Sequence, residues 1–251
     1  MKGIKNIFQF GSDRRTLYII MAILLVIAIV YNLPSQEEFK ALVLSLPGVL
    51  IAITFHEFAH AFVADKLGDD TPRRQGRLTL NPFAHLDPIG SIMLIFAGFG
   101  WGKPVEISPR NFNRNISMSA GNALVSVAGP LMNFILAIVF TVIGFAVMKF
   151  AEAFLVTQVG MITLLVIRSA IIINVGLGVF NLIPLPPLDG SKILMHFLPY
   201  NAREWFEKYS QIFYIVFLML WWTGIASQII SPAINGVYTG IISLVGKLFG
   251  M

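Results

Sequence analysis

The chain has 251 residues, of which 56% are hydrophobic and 12% are charged, and its formal net charge is +5. A soluble globular protein carries about 25% charged residues, so this composition excludes a soluble enzyme, a disordered protein and a nucleic-acid-binding domain. With no cysteine, the chain has no disulfide, thiolate nucleophile or zinc finger. The class that remains is an integral membrane protein.

Apolar stretches without Asp, Glu, Lys or Arg predict the membrane-spanning helices, which need about 20 apolar residues each. In chain order these stretches cover residues 16–36, 41–55, 115–148, 153–188 around a single arginine, and 209–246. The last stretch can hold one span with a second span or an interfacial helix, which leaves residues 229–249 open. We therefore predict an all-α polytopic membrane protein with about five or six transmembrane helices.

The same pattern predicts a single membrane-embedded domain over residues 1–251. Its core covers 41–194, its N-terminal span covers 16–36, and its C-terminal helices cover 209–249. A short apolar stretch at 88–102 is rich in glycine toward its end and is too short to cross a bilayer. We predict a membrane-dipping loop or a short hairpin there.

Lysine and arginine are concentrated in three segments of the chain. Of the 18 basic residues, 14 lie before residue 16, within 66–114 or within 192–208. Because the predicted spans alternate in direction, all three segments fall on one side of the membrane. The positive-inside rule places that side, with the N-terminus, in the cytoplasm.

The second predicted span runs into the sequence His56-Glu57-Phe58-Ala59-His60. Residues four apart share one face of a helix, so the imidazoles of His56 and His60 can bind one zinc ion. Glu57 can take a proton from a water molecule on the same metal. Ionisable groups at membrane depth are costly, which favours a functional site. The alternative is that the histidines bond to neighbouring helices while Glu57 reaches the cytoplasm.

A catalytic zinc site needs three protein ligands and one open position, and the residues alone leave the third ligand open. Asp189 follows three prolines within 184–187, which cannot continue a helix. A carboxylate after such a break can point at a metal on a neighbouring helix, or it can belong to an ordinary Asp-Gly turn. His85 and Asp87 form another candidate pair, although a loop hydrogen-bond role suits them better. We expect no metal role for His196.

Two motifs carry a family resemblance. The His56–His60 sequence, followed far downstream by Asn-Leu-Ile-Pro-Leu-Pro-Pro-Leu-Asp-Gly at 181–190, resembles the site-2 protease family of intramembrane metalloproteases. Four intermediate stretches are also similar to that family, namely residues 76–82, 85–90, 100–105 and 128–133. The resemblance extends from about residue 47 to 194 and is to a minimal member, without PDZ-like or CBS-like domains.

The resemblance implies one zinc ion held by His56, His60 and Asp189, with Glu57 as the general base. It implies a peptidase that hydrolyses bonds within or near transmembrane segments of membrane-protein substrates, close to the cytoplasmic side of a prokaryotic plasma membrane. The partners expected are such a substrate and the lipid bilayer, with no nucleic acid. Asn181 is a candidate to stabilise the oxyanion, with an interhelical hydrogen bond as the alternative.

Several assignments stay open at this point. Asn133, which follows Gly129-Pro130, can make a helix–helix contact or line the pocket. Arg168, isolated between apolar runs, is expected to reach the outer interface. The glycine-rich 98–102 loop can bind an extended substrate by strand addition or be a plain re-entrant turn. Other functions also remain, namely a catalytically silent scaffold or chaperone of the same fold and a cation transporter, since broken helices also occur in transporters.

Overall fold

The computed structural model describes residues 35–91 and 100–250, together with residue 23, and the regular structure in these ranges is helical. The helices are α1 (Gln36–Lys66), α2 (Thr71–Arg74), α3 (Met118–Phe150), α4 (Glu152–Leu155), α5 (Gln158–Asn181), α6 (Asp189–Phe197), α7 (Tyr200–Lys208), α8 (Ser210–Trp222) and α9 (Ile225–Phe249). Short 3-10 turns cover Pro82–Ala84 and Pro109–Asn111. This confirms the prediction of an all-α polytopic chain.

Four of these helices, α1, α3, α5 and α9, are long and apolar enough to cross a membrane. The helices α3 and α5 fall in the stretches predicted at 115–148 and 153–188. Residues 229–249, which the sequence left open, belong to α9, while α8 has 13 residues and is shorter than a span. The predicted first span at 16–36 lies almost wholly outside the described residues, as do positions 92–99 of the glycine-rich stretch.

Helix α1 begins earlier than the predicted 41–55 span and ends later. Its start is a capping box, in which the backbone N–H of Ser35 donates to Glu38 Oε2 at 2.7 Å and the N–H of Glu38 donates to Ser35 Oγ at 3.3 Å. Charged residues are compatible with an exposed first helical turn, so a charge-free stretch underestimates the length of this helix. Its last turns carry the His56–His60 sequence.

Polar caps also start the next two long helices. The hydroxyl of Ser117 accepts a hydrogen bond from the Ala120 N–H at 3.2 Å, and that of Thr157 accepts one from Gly160 at 3.0 Å. Where α5 ends, the prolines predicted to stop the helix do so, and the next helix begins at Asp189. That break places Asp189 in the first turn of α6.

Residues Val43–His85 and Lys103–Met251 form one compact unit. Its apolar core lies between α3 and α5, where Ala137, Ile167, Ile171 and Val175 are buried together. The other unit comprises Met1–Leu42 and Leu86–Gly102. In its described part, Leu86 and Gly102 pair in an isolated antiparallel bridge. All the residues of the candidate site lie in the first unit.

Candidate metal centre

Three ligand atoms from two helices converge in the first unit. His56 Nε2 and His60 Nε2 are 3.0 Å apart, and Asp189 Oδ2 lies 3.2 Å from the first and 3.0 Å from the second. All three residues are buried. Among the described residues they are the one group of three or more His or acidic side chains able to hold a metal ion.

The separations suit a small divalent ion. Tetrahedral zinc with bonds of about 2.0–2.1 Å holds its ligand atoms about 3.3–3.4 Å apart, a few tenths of an ångström more than the separations seen here. Two nitrogens and one oxygen are also the donor set of many catalytic zinc sites, which keep a fourth position open. The structure therefore brings together the residues that the sequence predicted, and their donor atoms fit zinc.

The His60 ring is oriented by a backbone carbonyl. Its Nδ1 lies 2.6 Å from the carbonyl oxygen of Val125 on α3. Because a carbonyl can only accept, Nδ1 must carry a proton, and in the neutral imidazole this leaves the lone pair on Nε2. Pro130 has no N–H to donate, so the carbonyl one turn before it receives no helical hydrogen bond from this residue. The helical hydrogen bonding of α3 is therefore irregular beside His60.

The His56 ring is oriented by Asn133, also on α3. The Asn133 amide nitrogen donates to the Ala52 carbonyl at 3.1 Å and to Asn174 Oδ1 at 3.0 Å. Its Oδ1 must therefore face His56, where it accepts a hydrogen bond from Nδ1 at 2.6 Å. This bond fixes the His56 tautomer as well, and such second partners tune a metal site.

With one proton on the Nδ1 of each ring, the lone pairs of the two Nε2 atoms and of Asp189 Oδ2 face one another at about 3 Å. Acceptor atoms repel at this range unless a positive centre lies between them. A proton can bridge one pair of these atoms but cannot serve all three, whereas a divalent ion can. The electrostatics of the cluster therefore favour a bound cation.

Gly129 leaves the space that the imidazoles occupy. A Cβ at this position would lie 2.4 Å from His60 Nε2 and 2.7 Å from His56 Nε2. These are the two nitrogens that face the cluster, so a side chain here would collide with the ligand atoms. The close approach of α3 to α1 thus depends on the absence of a side chain at residue 129.

Asp189 reaches the cluster because the chain folds back sharply after α5. A Cβ on Gly190 would lie 2.3 Å from the Leu182 carbonyl oxygen and 2.4 Å from that of Ile183. The first turn of α6 therefore packs directly against the end of α5. Asp189 lies in that first turn, where the helix dipole favours a carboxylate, and Lys192 Nζ is 3.5 Å from its other oxygen.

Glu57 is half-buried beside the cluster and accepts a hydrogen bond from the protein backbone. The N–H of Val105 donates to Glu57 Oε2 at 2.9 Å. Val105 lies in residues 103–108, here called the 103–108 segment, which runs between Gly102 and the turn Pro109–Asn111. The second oxygen of the Glu57 carboxylate is the one left for a water molecule.

The far end of the 103–108 segment is held by the buried carboxylate of Asp69. Its Oδ2 accepts from the Ser108 N–H at 2.6 Å, and its Oδ1 accepts from the Asn111 amide at 2.9 Å and from the Thr71 hydroxyl at 2.5 Å. Burial alone would raise the pKa of Asp69, but these hydrogen bonds outweigh it and hold the pKa below the ordinary value.

Other residues considered from the sequence lie elsewhere. His85 is buried with Nε2 2.8 Å from the Thr79 carbonyl, which agrees with a loop hydrogen-bond role. His196 Nδ1 lies 3.2 Å from Ser119 Oγ. The amide nitrogen of Asn181 donates to the Leu177 carbonyl of its own helix at 3.1 Å, and its oxyanion role stays a prediction. Arg168 is exposed on α5.

Sequence reasoning missed four contributors to the site. The Val125 carbonyl and the Val105 N–H are backbone groups, which leave no trace in residue identity. Asn174 was not singled out, although an Asn inside an apolar span is a signal for an interhelical hydrogen bond. The pair Gly129-Pro130 was read for its kink, and the need for space at Gly129 was not inferred.

Comparison with known proteins gives consistent matches. The family model described as peptidase family M50 matches residues 44–223. YwhC of Bacillus subtilis is 38% identical over 209 residues, which are 80% of this chain and 90% of that protein. Rip2 of Mycobacterium tuberculosis is 28% identical over 83% of this chain and 75% of its own length.

An archaeal protein is similar as well. MJ0611 of Methanocaldococcus jannaschii is 27% identical over 86% of this chain and 100% of its own length. All three relatives are named zinc metalloproteases. No solved structure matches the chain significantly.

Proposed function

The chain belongs to peptidase family M50, the site-2 protease family, and from this premise we propose that it is a zinc endopeptidase acting on membrane proteins. Its substrates are peptide bonds within or near transmembrane segments, on the cytoplasmic side. The metal ligands are His56, His60 and Asp189, and Glu57 is the general base. The observation that carries the proposal is the convergence of two histidine Nε2 atoms and one Asp189 oxygen, 3.0–3.2 Å apart, beside a glutamate.

A zinc ion held by these ligands supplies a Lewis acid that acidifies water and polarises a carbonyl group. Residues of the chain transfer the proton and orient the ligands. The free oxygen of the Glu57 carboxylate accepts a proton from the attacking water, and Glu57 then gives this proton to the leaving amine. Val125 and Asn133 keep the two imidazoles in the tautomer that leaves Nε2 free of a proton. Asn181 is the candidate donor to the oxyanion.

The site's place in the fold supports a substrate that is itself in the membrane. His56 and His60 lie in α1, a helix long and apolar enough to span a bilayer, within three turns of its end at Lys66. A transmembrane helix hides its scissile carbonyl in its own hydrogen bonds, so it must unwind locally before attack. Substrates should therefore carry glycine or another weak helix former near the cut.

The distribution of lysine and arginine supports an orientation of the chain in the membrane. The end of α1 near the site joins the segment 66–114, which is rich in lysine and arginine. The positive-inside rule places this segment, and the N-terminus, in the cytoplasm of a prokaryotic cell. The proposed cleavage therefore takes place near the cytoplasmic surface of the plasma membrane.

The test compares Glu57→Gln with wild type in purified full-length protein, using a tagged single-pass membrane protein with glycine in its span as substrate. Removing the base should lower the cleavage rate by about 100-fold or more, while zinc stays at one ion per chain. The matched control is Glu37→Gln, an exposed glutamate on the same helix, which should cleave like wild type.

The other outcomes distinguish the alternatives. A silent scaffold would show no cleavage in any variant, and a transporter would show ion flux that Glu57→Gln does not abolish. Cleavage by Glu57→Gln at the wild-type rate, or a wild-type protein that binds no zinc, would refute the proposal.

A further inference from the structure

The base Glu57 is held by an irregular stretch of backbone rather than by another side chain. The 103–108 segment donates the Val105 N–H to Glu57 Oε2 at 2.9 Å. An irregular segment is free to move unless it is fixed at its ends. What fixes this segment therefore decides how well Glu57 is positioned.

Arg77 fixes the near end. One guanidinium nitrogen, Nη2, donates to the Lys103 carbonyl at 2.5 Å and to the Pro104 carbonyl at 2.8 Å. The Pro104 carbonyl is in the same planar peptide unit as the Val105 N–H, and the Lys103 carbonyl is in the preceding unit. The guanidinium therefore holds the peptide group that contacts Glu57. At the far end, Asp69 accepts the Ser108 N–H at 2.6 Å. The Lys103 N–H also donates to the His85 carbonyl at 2.7 Å, so Val105 lies between anchored residues on both sides.

Local structure turns Arg77 inward. Helix α2 ends in a Schellman motif, in which the Arg77 N–H bonds to the Pro72 carbonyl at 2.8 Å and the Gly76 N–H bonds to the Arg73 carbonyl at 3.0 Å. Gly76 has φ +68°, the left-handed conformation that this motif requires. The Arg77 backbone is thereby tied to α2.

A contribution to the stability of the fold does not readily explain why the Arg77 side chain is buried. The residue is 4% exposed, and its Nη1 has no hydrogen-bond partner among the described residues. Burial lowers the pKa of Arg77, while the nearby carboxylates Glu57 and Glu106 act in the opposite direction. A buried, partly unpaired charge costs free energy, so a role in the site accounts better for a guanidinium here.

We propose that Arg77 is a positioning residue for the base: by holding the Lys103 and Pro104 carbonyls, it sets the Val105 N–H that orients Glu57. This inference rests on the proposed function of Glu57. The Val105 bond occupies one carboxylate oxygen and holds the side chain in one rotamer, which leaves the other oxygen directed for proton transfer. Arg77 contacts neither substrate nor metal in this role, and it acts through the backbone of the 103–108 segment.

The test uses variants of the purified full-length chain. Arg77→Gln removes the guanidinium that donates to the two carbonyls, and Val105→Pro removes the N–H that reaches Glu57. Each should lower kcat by about 10- to 100-fold, with KM changed by less than about 2-fold and zinc content unchanged. Arg77→Lys should recover part of kcat, because one nitrogen makes both bonds.

The double variant supplies the sharpest readout. If Arg77 acts through Val105, then Arg77→Gln with Val105→Pro should be no slower than Val105→Pro alone. The matched control is Arg73→Gln, which removes an exposed guanidinium on α2. This control should keep kcat near the wild-type value.

Hydrogen exchange provides a readout that needs no activity. In the zinc-loaded wild type, amides of the 103–108 segment should be protected, and Arg77→Gln should accelerate their exchange. Unchanged exchange would overturn the inference even if the protein cleaves nothing. Additive losses in the double variant, an equal loss in Arg73→Gln, or a higher kcat in Val105→Pro would also overturn it. Cleavage that survives Glu57→Gln instead overturns the proposed function.

Discussion

Gly129 faces the two ligand imidazoles from α3 where there is no room for a side chain. The Cβ of an alanine would lie 2.4 Å from His60 Nε2 and 2.6 Å from His56 Cε1. Atoms of these rings cannot withdraw without breaking the hydrogen bonds that hold Nδ1. A single methyl group at this position therefore acts on both ligands at once.

We expect Gly129→Ala to lower the affinity for zinc by at least about 10-fold and to abolish cleavage. Zinc affinity of the purified protein can be measured by competition with a chelator of known affinity. The matched control is Gly236→Ala on α9, where a Cβ would meet no atom within 4 Å. Wild-type zinc affinity in Gly129→Ala would show that the two helices do not approach as described.

The roles of single residues were predictable to different degrees. The pairing of His56 with His60 follows from helical spacing alone, because residues four apart share a face. The sequence does not decide whether Asn133 makes a helix–helix contact or lines the pocket. In the structure it contacts both Ala52 and His56. Its exact partner depends on how two helices dock, which the sequence of one helix does not contain.

At the scale of elements, the connection after α1 is ordered by buried polar contacts in addition to an apolar cluster around Phe112. Asp69 is fully buried and joins the start of α2 to Ser108 and Asn111. Four donors converge on this one carboxylate, since the Thr71 N–H and hydroxyl also donate to it. The contact between the start of α2 and residues 108–111 therefore depends on the ionised carboxylate of Asp69.

We expect Asp69→Asn to lower the free energy of unfolding by about 1–3 kcal/mol near neutral pH. The new amide group would place N–H donors against the Ser108 N–H. The change can be measured as the shift in thermal unfolding of the purified protein. Its control is Asp70→Asn, the exposed neighbour that pairs with Arg74 on the surface, which should have little effect.

The same variant should show a pH dependence of known sign. The folded-state pKa of Asp69 is below its ordinary value of 3.8, so its stabilisation is complete above that value and is lost as the pH falls through the lowered pKa. The gap in stability between wild type and Asp69→Asn should therefore narrow in acid. A gap that is constant from neutral pH down to about 3 would contradict this assignment.

Elements with a regular period were predictable, and irregular ones were not. The long apolar helices α3 and α5 follow from hydropathy, and the end of α5 follows from its prolines. The charge-free stretch 41–55 is shorter than α1, because the charged residues of the exposed first turn interrupt the apolar run. The 103–108 segment has no period, and its contacts with Glu57 and Arg77 are made by backbone atoms, so no residue pattern reveals them.

At the scale of the whole molecule, the metal centre lies toward one end of the long helices. His60 is six residues before the end of α1, and Gly129 is 11 residues after the start of α3, which has 33 residues. The segment 66–114, which joins these two ends, carries seven of the 18 basic residues. The opposite connection, between α3 and α5, contains the short helix α4 and has few charges.

The absence of cysteine makes this topology directly measurable. Single-cysteine variants Glu152→Cys and Arg110→Cys place a thiol at an exposed position on each side. In intact cells, a membrane-impermeant maleimide should label the first variant, because the positive-inside rule puts residue 152 outside. The second should be labelled only after the cells are permeabilised. The reverse pattern would place the metal centre at the outer surface.

The convergence of His56, His60 and Asp189 on one zinc ion is tested most directly by zinc-edge X-ray absorption on purified wild type and Asp189→Cys. Wild type should show a shell of nitrogen and oxygen at about 2.0–2.1 Å, whereas the variant should gain one sulfur at about 2.3 Å. Because the chain has no other cysteine, that sulfur could come from no other thiol. A variant that binds zinc with only nitrogen and oxygen neighbours, while its thiol reacts freely with an alkylating agent, would show that residue 189 does not coordinate the metal.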